Sequence, residues 1–431
     1  MTAGPFLRVG PGRRVAETGA APLLTVSFLV SQWSDVAAMR WTLRLLPLAA
    51  LVTILCLPAE RRGRLRLPLP MLLFGGWCLL SVLWTSDQAN SVRRCVDVFA
   101  LLTVGWVVGQ VLGLPAARHV LALAVRGVLL ASVVVLVVLP DWSTTPGADG
   151  APGWHGLFPH KNGLGFFCAV AFVTLYCDTS AGWRRRLWLA LCAIVVVGSQ
   201  SASALGATAA AGCVIGWHAL RGERPDDRRR LRTDVMAAAA LLIAVLCIVA
   251  RPGLGLELLG RDSSLTGRRE IWTAVIRQIG ERPIEGYGFG GVWDRASPVT
   301  LEIWRESRFE AFYAHNGYLD LPLQVGFVGL GLFLVLVVSL VLRALGHRPY
   351  AEAAWPLGLL AVLLITAFTE SSPFTGEGLL LLALLGGFLT PPAVPDGRSP
   401  LRTARRSPAV AGASSAGPVA VGSGAGRAEQ R

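Results

Sequence analysis

The 431-residue chain is 53% hydrophobic and only 16% charged, where a soluble domain carries about 25% charged residues. Too few polar side chains exist to wet a globular surface, and the hydrophobic content is far above that of a disordered chain, so the composition implies a polytopic membrane protein. The net charge of +13, from 40 basic and 27 acidic residues, fits nucleic-acid binding or arginine-rich cytoplasmic loops, and the loops decide for the second.

A helix needs roughly 20 apolar residues to cross about 30 Å of hydrocarbon. Runs of that order lie near 21–38, 41–58, 68–86, 96–114, 119–140, 160–178, 184–199, 203–220, 234–250, 316–342, 353–371 and 377–392. The expectation is an all-α polytopic membrane protein of about twelve transmembrane helices. Its first span is interrupted by Gln32 and Asp35 and lacks a small-residue cleavage site, which reads as an uncleaved anchor. Arginines mark one set of loops, at 61–66, 118, 184–186, 221–232 and 343–348. All fall on one side if the helices alternate, and the positive-inside rule makes that side, with both termini, cytoplasmic. Residues 1–20 are then a cytoplasmic tail and 21–392 the membrane domain. Residues 393–431, rich in Pro, Gly, Ala, Ser and Arg, read as a disordered cytoplasmic tail. The eight cysteines form no C-x-x-C pair and nearly all sit in apolar runs, so they read as small buried hydrophobes.

The opposite side holds short connections and one long loop, about 251–315, between the ninth and tenth spans. From Arg251 to Glu310 its nine arginines cancel nine Asp and Glu residues. Arg268-Arg269-Glu270 opens an amphipathic stretch in which Ile271, Trp272, Val275, Ile276 and Ile279 recur at helical spacing while Gln278 falls elsewhere. Ser264 or Thr266 is placed to cap this helix, and Pro283 and Gly286 to end it. It would lie on the membrane with its apolar stripe inward. Arg268 and Arg269 stand in the first turn, where cations oppose the helix dipole. Beside free backbone N–H groups they form either an anion site or an interfacial pair on lipid phosphates. Glu285-Gly286-Tyr287-Gly288-Phe289-Gly290-Gly291 is a plain turn or a close backbone approach to a ligand.

His315 opens the tenth span with Asn316, a position suited to proton transfer near neutral pH or simply to anchoring a helix. Trp154 to Gly165, entering the sixth span, gathers His155, His160 and Lys161, the only lysine. Lys161 is a phosphate contact or a snorkelling cation. With no carboxylate or cysteine near in sequence, the two histidines do not read as a metal site. Arg126 within the fifth span and Glu370 near the end of the eleventh are intramembrane charges, which point to function, although snorkelling also accounts for Arg126. Arg93 and Arg94, with Asp97, begin the fourth span against the positive-inside trend and suggest an anionic partner such as a diphosphate.

Four pieces in this order resemble the O-antigen ligase and exopolysaccharide polymerase superfamily. They are Phe158-Pro159-His160-Lys161-Asn162-Gly163-Leu164-Gly165, Leu265-Thr266-Gly267-Arg268-Arg269-Glu270-Ile271-Trp272, Arg282-Pro283-Ile284-Glu285-Gly286-Tyr287-Gly288-Phe289-Gly290 and Ala314-His315-Asn316-Gly317-Tyr318-Leu319-Asp320. The motifs cover about 155–330, and the His-Lys-Asn form looks more like the polymerase branch. The resemblance implies a GT-C-like membrane fold and a metal-independent glycosyltransferase that needs no cofactor. Such an enzyme takes a polyprenyl-diphosphate-linked glycan at the outer face of the cytoplasmic membrane and passes it to a glycan, lipid, wall-polymer or protein acceptor, with no nucleic-acid partner. Carried over residue by residue, Arg268 and His315 are the catalytic pair, and Arg269 and Lys161 contact diphosphate. The membrane argument adds Arg93, Arg94 and Arg126 to the diphosphate contacts, with Asn316, His160 and Glu370 supporting. Ser199-Gln200-Ser201-Ala202-Ser203 lacks the arginine that Ser-Arg-type sequences of this kind carry.

Breaking a glycosyl–diphosphate bond needs a base for the incoming hydroxyl and positive charge on the leaving group. His315 would supply the first and arginines the second, by bidentate contact, and direct displacement inverts the sugar carbon. The alternatives are a transporter or flippase of lipid-linked glycan, or a non-catalytic export scaffold. Transporters commonly carry inverted repeats and broken helices, whereas the unusual residues here gather at one boundary.

Overall fold

A computed structural model describes residues 37–57, 59–63, 65–145, 153–178, 182–222, 267–371, 374 and 376–390, with short pieces at 19, 22–27, 228 and 232–236. The middle of the first expected span, most of the ninth, Ser264, Thr266 and the 393–431 tail lie outside the described residues.

The described chain is almost wholly helical. Its main helices are α1 (Ala37–Leu55), α2 (Leu69–Leu80), α3 (Gln88–Leu112), α4 (Leu114–Val138), α5 (Lys161–Cys177) and α6 (Gly182–Gly198). They continue as α7 (Ala202–Arg221), α8 (Arg268–Glu281), α9 (Pro298–Ser307), α10 (Gly317–Gly346), α11 (Ala354–Thr366) and α12 (Glu377–Leu389). Thr144–Thr145 and Gly153–Trp154 pair as a two-residue antiparallel ribbon, β1 and β2. Among the described residues α3, α4, α7 and α10 are long and apolar enough to cross a membrane, and α2, α5, α11 and α12 are shorter apolar helices. Local chemistry sets the boundaries. Asp87 caps α3 by accepting the Asn90 N–H at 2.9 Å, so α3 starts at Gln88 and not near 96, and Arg93, Arg94 and Asp97 belong to its first turns. Gly113, at φ 69°, ends α3 and hands over to α4, whose second residue is Pro115. Helix α11 stops at Thr366, which leaves Glu370 in the turn beyond it.

The most extensive helix pair is α3 with α12. Gly105 and Gly109, one turn apart in α3, pack on the α12 backbone, Gly105 against Leu380 to Leu384 and Gly109 against Leu384 and Gly387. A Cβ on Gly387 would lie 2.6 Å from the Trp106 carbonyl oxygen and 2.9 Å from the Gly109 Cα. This is the small-residue packing of membrane helices, where lipid leaves little hydrophobic drive and close backbone approach supplies the contact.

Helix α10 is broken at Gly326, at φ 67° and ψ −178°. The break strands the carbonyls that N–H groups four residues later would have met. Each finds another donor: Leu323 O takes Tyr287 N–H at 3.0 Å, Gln324 O takes Gly288 N–H at 2.8 Å, and Val325 O takes the Trp77 indole at 2.9 Å. Beyond the break, Phe327 and Val328 donate to Pro283 and Ile284 at 2.7 and 3.3 Å. The glycine-dense segment therefore packs closely on protein at Gly286, where a Cβ would lie 2.6 Å from the Gly326 nitrogen.

Between α8 and α10 the chain forms a lobe with its own core of Ile271, Ala274, Val275, Ile279, Val299, Ile303 and Leu323. The apolar stripe of α8 is thus covered by α9 and α10, not by lipid. Ile276 is 56% exposed and Gln278 only 4%, the reverse of the expected faces, because α9 and Tyr287 cover the Gln278 side. Replacing Gly109 with leucine should lower the thermal midpoint and the monodisperse yield of solubilised protein, since overpacking costs about 1–3 kcal/mol or more. Gly127→Leu, where no atom lies within 4 Å of the added carbon, should leave both unchanged in a light-scattering melt.

Candidate active site

The starts of α3, α5 and α12, the turn after α11 and the lobe enclose a cavity of about 320 Å³. His160, in extended backbone, caps α5 by accepting the Asn162 N–H on Nδ1 at 3.3 Å. In the neutral ring the proton then sits on Nε2. Asn162 turns its amide to donate to Glu370 Oε1 at 2.6 Å. Arg268 reaches the same carboxylate from the first turn of α8: Nη2 lies 3.6 Å from Glu370 Oε1 and Nη1 donates to the Thr369 carbonyl at 3.1 Å. The residue preceding this helix is Gly267, at φ 80° and with no side-chain cap. His315 adopts φ 52°, an uncommon conformation for a side-chain-bearing residue and one that clusters at functional sites. Its ring lies 4.2 Å from that of Tyr313, and its Nδ1 is buried without a hydrogen-bond partner. The turn is anchored by Asn316, which caps α10 through the Tyr318 N–H at 3.0 Å, and by Gly317 N–H on the Ala367 carbonyl at 2.7 Å.

Burial raises the Glu370 carboxyl to about 7, against the opposing pull of Arg268 and Asn162. Burial, with the Arg268 charge and His160 nearby, lowers His315 to about 4. Burial, Lys161 and then His155 and Arg268 lower His160. At neutral pH both imidazoles are uncharged, and the positive charge around them belongs to Arg268 and Lys161.

Arg94 lines the cavity beside Asp97, which pairs with Arg44 of α1 at 2.8 Å. Arg268 and His315 stand one contact behind the lining, against Glu370 and Tyr313 respectively. Five further expected contributors do not line the cavity. Arg93 is exposed and returns its Nε to the Ala89 carbonyl at 3.1 Å. Arg126 pairs with Asp178, the residue that ends α5; seventeen helical residues, or about 25 Å, separate that end from His160. Lys161 lies beside Gly153 of β2, and Arg269 is exposed. Asn316 is engaged as a helix cap. His155 is buried edge-on to Trp142. Trp293 and Gln324 join the site unforeseen: the Trp293 indole and the Gln324 amide donate to Asp320 Oδ1 at 2.5 and 3.2 Å, and Gly290 N–H donates to Gln324 Oε1 at 2.7 Å. The signal was available, since Asp320 and Gln324 are polar residues four apart in an apolar span.

A carboxyl raised from 4.5 to about 7 binds its proton more readily in the fold than in the unfolded chain. That contribution is complete below pH 4.5 and disappears as pH rises through about 7. The thermal midpoint of Glu370→Gln, relative to the parent, should therefore rise between about pH 5 and pH 8. A difference that stays flat across this range would contradict the shifted carboxyl.

Residues 187–334 match the family model described as O-Antigen ligase. The chain is 26% identical over 332 residues to the "Exopolysaccharide production protein ExoQ" of Rhizobium meliloti (strain 1021), covering 68% of this chain and 76% of that protein. It is 24% identical over 272 residues to a "Putative polysaccharide ligase" of Rickettsia felis, covering 62% of this chain and 66% of the relative. The family match begins beyond Phe158–Gly165, so the His160 and Asn162 side of the cavity rests on its geometry. The chain is a multi-pass membrane protein whose residues 187–334 are similar to the O-antigen ligase family, the family that its motifs resemble.

Proposed function

We propose that the protein is a membrane glycosyltransferase that transfers or polymerises a polyprenyl-diphosphate-linked oligosaccharide. The observation that carries this reading is the convergence of four motifs, far apart in sequence, on one cavity and its wall: His160 and Asn162, Arg268, Phe289 and Gly290, and His315 with Asp320. The cavity end of the molecule gathers the starts of α3, α5 and α12. The arginines at 184–186 and Arg343 belong to the other ends of the helices that lead there. By the positive-inside rule the site faces outward from the cytoplasmic membrane and both termini lie inside.

In the reaction, the acceptor hydroxyl attacks the sugar carbon bonded to the diphosphate oxygen. The C–O bond to the leaving group breaks, and polyprenyl diphosphate departs with the bonding electrons. His315 is uncharged at neutral pH and accepts the hydroxyl proton. Arrival of the diphosphate raises its proton affinity at the moment it is needed. Arg268 stabilises the departing diphosphate after exchanging Glu370 and the Thr369 carbonyl for phosphate oxygens, and Arg94 supplies a second cation at the cavity. Arginine performs here the charge neutralisation that a metal performs elsewhere, so the reaction proceeds without one.

The broken helix α10 is a feature also met in transporters. Its stranded groups at Gly326 are met by backbone and by Trp77, which leaves no open ion-binding ring there. This favours the enzyme over the flippase.

In proteoliposomes supplied with polyprenyl-diphosphate oligosaccharide, His315→Ala should lose about 10²–10⁴ in transfer rate. Arg268→Lys should fail to restore the rate lost in Arg268→Ala, because the bidentate phosphate contact is gone. A His315→Ala protein that folds and transfers at the parent rate would remove the base assignment. Movement of the lipid across vesicles with no glycan extension would replace the enzyme with a flippase. EDTA should leave the rate unchanged, and strong inhibition would show that a metal takes part.

A further inference from the structure

The glycine-dense segment separates two cavities. Phe289, Gly290 and Trp293 line the one described above, while Tyr287 lines a second, of about 570 Å³. The second is walled by Trp84 from the α2–α3 connection, by Gln278, Glu281 and Arg282 at the end of α8, and by Glu302 of α9. Its size is that of small-ligand sites, about 300–1,000 Å³. None of these residues has a part in the transfer reaction.

The lining has a particular chemistry. Trp84 is held against Trp77 at 5.5 Å between ring centres, which fixes a rigid apolar surface. Around it stand planar polar groups. The Tyr287 hydroxyl lies 3.1 Å from Gln278 Oε1 and 3.0 Å from Glu281 Oε2, and the Arg282 guanidinium sits 5.0 Å over the Tyr287 ring. Burial and Glu281 push the Tyr287 phenol up to about 12, so it remains a hydrogen-bond donor. An indole face ringed by amide, carboxylate, guanidinium and phenol complements a ligand with a C–H face and a rim of hydroxyls, which is the shape of a pyranose ring. The rim has no cationic excess to recruit phosphates or anionic lipid headgroups, because Glu281 faces Arg282 and Glu302 is paired to Arg305.

We infer that the second cavity is an accessory saccharide site that holds the acceptor glycan on the far side of the glycine segment from the reacting bond. The identity of the glycan as acceptor rests on the glycosyltransferase reading; the binding of sugar does not. An enzyme that engages its acceptor at both cavities holds a chain through several sugar residues and discriminates between glycans away from the reacting carbon.

The test uses the full-length protein in detergent and oligosaccharides released by mild acid from the host's own surface polysaccharide. Saturation-transfer NMR should show sugar protons in contact with the parent protein. Trp84→Ala and Glu302→Ala should each weaken binding about tenfold. In the transfer assay the same variants should raise the acceptor KM about tenfold and leave the donor KM and kcat unaltered. Glu302 is on the rim, ion-paired to Arg305 within its own helix at 2.5 Å, so Glu302→Ala keeps the fold if Trp84→Ala does not. Unchanged binding in a folded Glu302→Ala variant overturns the site, and so does displacement of the sugar by vesicles of anionic lipid. Sugar binding that the variants abolish, in a protein with no transfer activity, would uphold the site and remove the enzyme reading.

Discussion

The interruption of α10 at Gly326 is the constraint on which the site end of the molecule depends. A helix broken inside an apolar layer leaves backbone groups that water cannot reach, at several kcal/mol each. The protein meets that demand with another stretch of its own backbone, and only a segment with almost no side-chain volume can come close enough. Gly286 is the consequence, packed on Gln324 and Gly326, while Gly288 and Gly290 fit the same segment against Thr85 and Arg94. They lock the lobe to the membrane helices, and the same five residues deliver Tyr287 to one cavity and Phe289 to the other. Beyond them Trp293 reaches Asp320, so the two motifs on either side of α9 become one wall.

The charge arrangement follows a similar logic of occupied partners. Arg268 faces a cavity wall where an unpaired cation would be costly. Glu370 and the Thr369 carbonyl keep it satisfied. The carboxylate is itself barely stable in its ionised form, because desolvation outweighs both Arg268 and Asn162. An anion arriving at Arg268 therefore competes with a weakly held partner. The histidines beside it are kept uncharged by the same burial, with Arg268 and Lys161 adding to it, so the cluster presents two neutral rings beside its cations.

The helical spans were legible because an unbroken apolar run of membrane length suits little besides a helix in lipid. Ten of the twelve expected spans reappear among the described residues as helices α1 to α7 and α10 to α12. The gathering of Arg268, His160 and His315 was legible only as motif order along one boundary. What could not be read was direction. Ile276 and Gln278 exchanged faces because α9, a second helix of the loop, covers the Gln278 side. Arg126 looked like a site residue until Asp178, distant in sequence, turned out to satisfy it. The glycine segment could be read only as a plain turn or a close approach to a ligand, because its partner, the break in α10, is one residue in an otherwise apolar run. In each case the deciding contact was long-range, and local pattern carries no information about it. Gly105 and Gly109 are the exception: their four-residue spacing in an apolar helix is the packing signature itself.

The glycine seam between α3 and α12 also bears on assembly. These helices are about 280 residues apart in the chain, yet α3 contributes Arg94 and Asp97 to the cavity and the turn opening α12 contributes Glu377. During synthesis α3 enters the bilayer long before its partner exists, with the notch at Gly105 and Gly109 facing lipid or a transient neighbour. The cavity is closed only when the last described helix fills that notch. Synthesis of α12 and completion of the site are thus the same event, so a protein without α12 has no enclosed cavity in which to meet its substrate.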